Sequence, residues 1–200
     1  MAGTAPIYLR ITTGLRDRLV AHTAAEVARR EELLQDPRWE ITRDMPARKR
    51  AAIRGAARAY VAGLRERGEL LDTQDVFMTH AVQAELRQRG WDHDWPPIPD
   101  NAPRSGRWPG SLDRGWAEKL TLSLPTALAE RARAACFHTS ADAIDKLRAW
   151  RDRHPEVVTE ATAPTAYQEY MELARQVTTT GDLWRAALDN ALPALPAGDE

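Results

Sequence analysis

Few side chains among these 200 residues have the types and spacing that bond-making chemistry needs. The chain contains no glycine-rich phosphate loop, no Gly-x-Ser-x-Gly elbow and no His-Glu-x-x-His pair. Cys136 and His138 stand two residues apart, which on a helix turns their side chains about 200° from each other, so they do not form a thiol–imidazole pair. Asp92-His93-Asp94, with His80, offers donors for a divalent cation, but acids beside a single histidine are ordinary loop composition. Glu169 and Glu172 share a helix face on which nothing else converges. No catalytic residue, metal or cofactor is expected. What remains is cationic: Arg50, Arg54 and Arg58, with Arg48 and Lys49 beside them, recur on one helix face and can meet phosphates. The plainer reading is a solvated face.

The composition is that of an ordinary globular chain, 43% hydrophobic and 28% charged. There is no apolar run of about 18 residues and no basic segment leading into an apolar stretch, so neither a membrane span nor a secretory signal is expected. The single cysteine fits a reducing compartment, and the expected location is cytoplasmic. The net charge of −1 hides an alternation. Residues 1–70 carry 14 basic and 9 acidic side chains, 71–100 carry 2 and 6, 101–155 carry 10 and 6, and 156–200 carry 2 and 8. A polyanion would meet the first and third pieces, because screening limits its attraction to about 10 Å. Alternatively, the acidic and basic pieces neutralise one another within the fold.

These side chains must be positioned by a mainly helical chain with a few short strands. Ile7, Leu9 and Ile11 alternate with Tyr8, Arg10 and Thr12 in an opening strand, followed by a long helix capped at Thr12 or Thr13 and running to Asp36-Pro37. Arg38–Ile41 reads as extended. A helix follows Asp44-Met45-Pro46 and stops at Gly68, and another runs from the Asp72-Thr73 cap to Gly90. The 26 residues from Trp91 to Trp116 hold five prolines and four tryptophans and divide a region 1–90 from a region 118–192. Their tryptophans, interleaved with Arg104, Arg107 and Arg114, either stack on bases or pin the linker to the core. Beyond them lies the strict alternation of Leu120, Leu122 and Leu124 with Lys119, Thr121 and Ser123, and Pro125 follows. Thr126 caps a helix carrying Leu128 and Ala132, the turn at His138-Thr139-Ser140 starts a second, and helices over about 164–177 and 181–191 close the chain.

Two stretches echo earlier or later ones. Leu9–Arg18 aligns without gaps on Leu122–Arg131, and Thr139–Ile144 resembles Thr179–Trp184. Either duplication or the recurrent chemistry of a strand, a threonine cap and a helix produces such matches.

The order strand, helix, turn, helix over residues 119–153 resembles the ribbon-helix-helix family of DNA-binding proteins. The resemblance rests on the alternating strand ending in Pro125, on Leu128 and Ala132, and on Thr139-Ser140-Ala141-Asp142-Ala143-Ile144. It covers under a fifth of the chain. It departs from the family in having Phe137-His138 where a glycine is usual, Asp142 for a glutamate, and an internal rather than terminal motif. The resemblance implies a two-stranded antiparallel ribbon whose apolar face lies on helices and whose polar face, here Lys119, Thr121 and Ser123, enters a major groove. It also implies that the second helix starts, at Thr139 and Ser140, beside a phosphate. The partner strand is either the same strand of a second subunit or the opening strand, which would add Arg10 to the face.

The expected function is thus sequence-specific binding of double-stranded DNA, as a homodimer and as a transcriptional repressor or a mobile-element accessory factor. Arg50, Arg54 and Arg58 would add phosphate contacts. The alternative is a protein-interaction module, such as an antitoxin, immunity or adaptor protein, whose acidic carboxy-terminal third covers a basic protein partner or its own basic face; a third reading, with no motif behind it, is a small enzyme whose pocket the Trp91–Trp116 loop lines.

Overall fold

The leucine alternation of Glu118–Pro125 forms a strand, β2, and its partner is the opening strand of the same chain, β1 (Thr4–Ile11). The two run antiparallel, with Ile7 opposite Leu122, Tyr8 opposite Thr121, Leu9 opposite Leu120 and Arg10 opposite Lys119. The computed structural model describes residues 3–100, 102 and 116–194. Its chain is mainly helical, with this two-stranded sheet.

A long helix, α1 (Thr13–Leu33), follows β1, capped by Thr12, whose hydroxyl accepts from the Leu15 N–H at 3.2 Å. The corresponding helix after β2 is α4 (Thr126–Thr139). Thr126 is its first residue rather than its cap, which is Pro125, and no side chain caps the helix; the Thr126 N–H donates to the Gly3 carbonyl at 2.9 Å, across the ribbon. The expected extended piece at Arg38–Ile41 is instead a 3₁₀ turn over Pro37–Trp39, closed when the Asp36 carboxylate accepts from the Arg38 N–H at 2.9 Å. α2 (Ala47–Glu66) and α3 (Gln74–Gln88) follow, each ending just before a glycine with positive φ, Gly68 at +72° and Gly90 at +70°. After β2 and α4 come α5 (Ala141–Arg153), α6 (Pro164–Arg175) and α7 (Thr180–Ala191). Among the described residues no helix is long and apolar enough to cross a membrane.

One core joins the regions on either side of the Trp91–Trp116 segment. Ile7, Leu9, Ile11, Leu122 and Leu124 from the ribbon meet Leu15 and Leu19 of α1, Phe77 and Met78 of α3, Leu128 and Ala132 of α4, and Leu183, Trp184 and Leu188 of α7. Each strand alone is too short to be stable, and burial of both inner faces supplies what two lone strands lack. α3 and α7 lie against each other and also reach the ribbon, α3 beside β2 and α7 beside β1. Glu85, 4% exposed, ties this pair together by accepting from Arg89 at 2.6 Å and from the Asn190 amide at 2.8 Å.

The two halves therefore share one plan. Strand, helix, an excursion of further structure and a returning helix occur as β1, α1, α2 and α3, then as β2, α4, α5 with α6, and α7. The ungapped match of Leu9 to Leu122 carries Tyr8 onto Thr121, and these two residues also face each other in the ladder. The local two-fold axis of the antiparallel ribbon passes between them. The match also carries Thr13 onto Thr126, which begin α1 and α4. It carries Arg18 onto Arg131, and both reach the end of the other half's returning helix. Arg18 donates to the Asp189 carboxylate at 2.6 Å and to the Leu192 carbonyl at 2.6 Å, past α7; Arg131 donates to Asp92 at 2.6 Å, past α3.

The returning helices repeat in turn. Counting from their caps, Thr73 and Thr179, the buried positions Phe77, Met78, Ala81 and Val82 match Leu183, Trp184, Ala187 and Leu188. In its pattern of buried positions α7 therefore matches α3, whereas the sequence echo links Thr179–Trp184 to Thr139–Ile144. α5 packs instead against α4 and α6.

Candidate nucleic-acid interface

Alternation along a strand sends every second side chain away from the core. On β1 the outward residues are Pro6, Tyr8 and Arg10, and on β2 they are Lys119, Thr121 and Ser123. Tyr8 is 75% exposed, Arg10, Lys119 and Thr121 are exposed, and Ser123 is half-buried. The sheet has two strands, so both are edges, and side chains of the returning helices occupy edge groups. The Asp75 carboxylate at the start of α3 accepts from the Ser123 N–H at 2.9 Å, and Arg185 of α7 donates to the Arg10 carbonyl at 3.2 Å. Among the described residues the outer face is exposed from Tyr8 to Arg10 and Lys119 while the edges are held.

Arg10 and Lys119 stand directly opposite each other, and among the described residues neither is in an ion pair. The nearest carboxylate along β2, Glu118, is engaged by Arg16 at 3.6 Å. Two like charges facing each other across a ladder destabilise it by a few tenths of a kcal/mol up to about 1 kcal/mol. An anion bound across both would reverse that sign.

Thr139 and Ser140 are not on this surface. Ser140 is 1% exposed, and its hydroxyl accepts from the Thr178 N–H at 3.0 Å. The Thr139 hydroxyl turns back to the Ala135 carbonyl at 2.7 Å. Thr139 is exposed and Ser140 buried, and with both hydroxyls turned to backbone groups the amino end of α5 offers neither of them as the open phosphate contact expected there. The helices whose side chains reach the ribbon edges are α3, through Asp75, and α7, through Arg185. Sequence reasoning assigned the second helix by adjacency and so missed both; the signal available was the matching spacing of apolar residues after Thr73 and Thr179.

The arginine stripe lies on α2, away from the sheet. The 21 residues of α1 make it about 30 Å long, and a satellite core of Val61, Leu64 and Leu70 packs with Leu33 and Leu34 at its far end. Only Val61 and Leu64 of α2 are buried, both in its carboxy-terminal half. The amino-terminal half, with Arg48, Lys49, Arg50 and Arg54, carries no acidic residue and stands clear of the core, as does Arg58 just beyond it. Arg54 and Arg58 are exposed and Arg50 half-buried, and among the described residues none of them is in an ion pair.

Asp72 anchors this hairpin. Its side chain is fully buried and accepts from Arg65 at 2.7 and 2.8 Å and from Arg30 at 2.9 Å. The hydrogen bonds from Arg65 hold its carboxyl below the usual carboxylate range, outweighing burial, which acts the other way.

The remaining candidates resolve as structure. Burial pushes the Cys136 thiol up to about 12, and a neutral buried thiol is a core group. His80 bonds the Arg65 carbonyl, His93 the Gly90 carbonyl, and Asp92 is held by Arg131, and among the described residues no three acidic, histidine or cysteine side chains gather as metal ligands. Trp91 and Trp95 pack on the core, Trp95 stacks on His138, and Trp116 lies under Arg185. Trp108, Arg104, Arg107 and Arg114 lie outside the described residues. An open groove of about 460 Å³ runs between residues 93–98 and α4 and includes His93, Asp94 and Glu130. No family model, curated protein or solved structure matches the chain.

Proposed function

We propose that this chain binds double-stranded DNA sequence-specifically in the ribbon-helix-helix manner, with both ribbon strands supplied by one polypeptide, and acts as a transcriptional repressor or a mobile-element accessory factor. The observation that carries the reading is the outer ribbon face: Tyr8, Arg10, Lys119 and Thr121 exposed above a face of buried aliphatic residues, with the two cations opposite each other and without anionic partners among the described residues. A two-stranded ribbon fits a major groove, and arginine, lysine and threonine are donors suited to base edges. The pairing of β1 with β2 provides within one chain what a homodimer was expected to provide, so a second copy is not needed to build the ribbon. The arginines of α2 supply backbone contacts that add affinity without sequence information.

An electrophoretic shift assay with the full chain and the DNA upstream of its own gene tests this. The expected result is a complex that survives excess unrelated DNA, weakens steeply with salt and is lost in an Arg10→Ala, Lys119→Ala double variant. A chain that shifts no duplex at low salt is not a DNA-binding protein, and the protein-interaction alternative then takes its place.

A further inference from the structure

A ribbon made by two identical strands about a two-fold axis has identical ends, but this one does not. The axis through Tyr8 and Thr121 exchanges Arg10 with Ser123 and Lys119 with Pro6. One end of the outer face therefore presents two cationic donors, and the other presents a proline ring and a hydroxyl. The edge groups differ as well: Arg185, itself paired with Asp182 at 2.7 Å, lies at the Arg10 carbonyl, whereas the Ser123 N–H is held by the Asp75 carboxylate. Arg16 and Glu118 pair at the cationic end and offset each other, so the polarity survives them.

Resting on the DNA-binding reading above, we infer that a single copy of this chain reads a non-palindromic site, with guanine under the Arg10–Lys119 end and an A·T pair under the Pro6–Ser123 end. Guanine presents two acceptors, O6 and N7, in the major groove, which suit donor-only arginine and lysine side chains. The opposite end offers no cationic donor. Pro6 supplies apolar surface for a thymine methyl, Ser123 a hydroxyl that bonds to either base, and the nearby Asp75 charge disfavours further acceptors. The Arg10–Lys119 pair and the Pro6–Ser123 pair are four residues apart, about 13 Å along a strand, so the two subsites are separated by about four base-pair steps.

Selection from a randomised duplex pool, with sequencing and a stoichiometric titration of the full chain, tests the inference. The expected outcome is an asymmetric motif bound by one chain per duplex, in which Arg10→Ala or Lys119→Ala lowers affinity about 5- to 150-fold and relaxes the guanine position only. A gain-of-function variant guards against loss of folding: Ser123→Arg should create a guanine preference at the formerly neutral end. A palindromic motif, two chains per site, or a guanine position indifferent to all three variants overturns the asymmetric reading while leaving DNA binding in place. Absence of any enriched sequence overturns both.

Discussion

Arg10 and Lys119 face each other across the ribbon, exposed, with no carboxylate between them. Such a pair opposes folding slightly and favours an anionic ligand, which gives opposite signs to two measurements. Lys119→Glu should raise the thermal midpoint, by the equivalent of about 0.5 kcal/mol, because opposite charges then face each other. The same change should abolish DNA binding. A variant that loses both stability and binding would show that Lys119 has a structural role and would remove the discrimination.

The arginines of α2 should behave differently from the ribbon. Changing Arg50, Arg54 and Arg58 together to alanine should leave stability within about 0.5 kcal/mol, since these side chains are largely exposed and make no ion pair among the described residues. It should reduce the slope of log affinity against log salt by up to about 0.9 for each arginine that meets a phosphate, with the preferred sequence unchanged. Isothermal binding curves at four salt concentrations measure this.

Asp72→Ala should destabilise the chain by about 2 to 3 kcal/mol in urea unfolding, because the carboxylate is buried and satisfies Arg30 and Arg65 at once. The pH dependence has a defined sign. The folded carboxyl titrates below its ordinary value near 3.8, so its contribution is complete above that value and is lost as the pH falls through it toward the lower folded value. In Asp72→Asn that part of the acid-side loss should vanish.

Arg18 and Arg131 occupy matching places in the two halves but should not cost the same. Arg18 makes four hydrogen bonds to the end of α7, with Asp189, Leu192 and Pro193, and its side chain is 19% exposed. Its change to alanine should cost about 1.5 to 3 kcal/mol. Arg131 and Asp92 are each more than a third exposed, and breaking that pair should cost no more than about 1 kcal/mol. Denaturant midpoints of the two variants compare them directly.

Much of this was legible in the sequence where one physical rule dominates. The alternation of Leu120, Leu122 and Leu124, the caps at Thr12 and Thr73, and the stops at Gly68 and Gly90 all depend on local geometry, and the corresponding elements follow them closely. The ungapped match of Leu9–Arg18 to Leu122–Arg131 held the pairing of β1 with β2 in outline, but an alignment states equivalence and not contact, so a second subunit remained an alternative. The assignment of α5 as the second helix followed chain order. α3 and α7 each return to the ribbon after an excursion; the matching apolar spacing after Thr73 and Thr179 is the trace of this in the sequence, and the burial of Phe77 and Met78 beside Leu183 and Trp184 in one core shows it. Asp75 and Arg185 give no sequence signal of their own, because their roles arise from strand edges formed by distant segments.

The central claim is that the outer face of the β1–β2 ribbon enters a DNA groove. Fluorescence anisotropy of a labelled duplex, titrated with the wild-type chain and with the Arg10→Ala, Lys119→Ala variant over a salt series, tests it most directly. Salt-sensitive binding by the wild type, weakened at least tenfold in a variant that remains folded by circular dichroism, is the predicted result. Equal affinity of the two proteins at every salt concentration would contradict it.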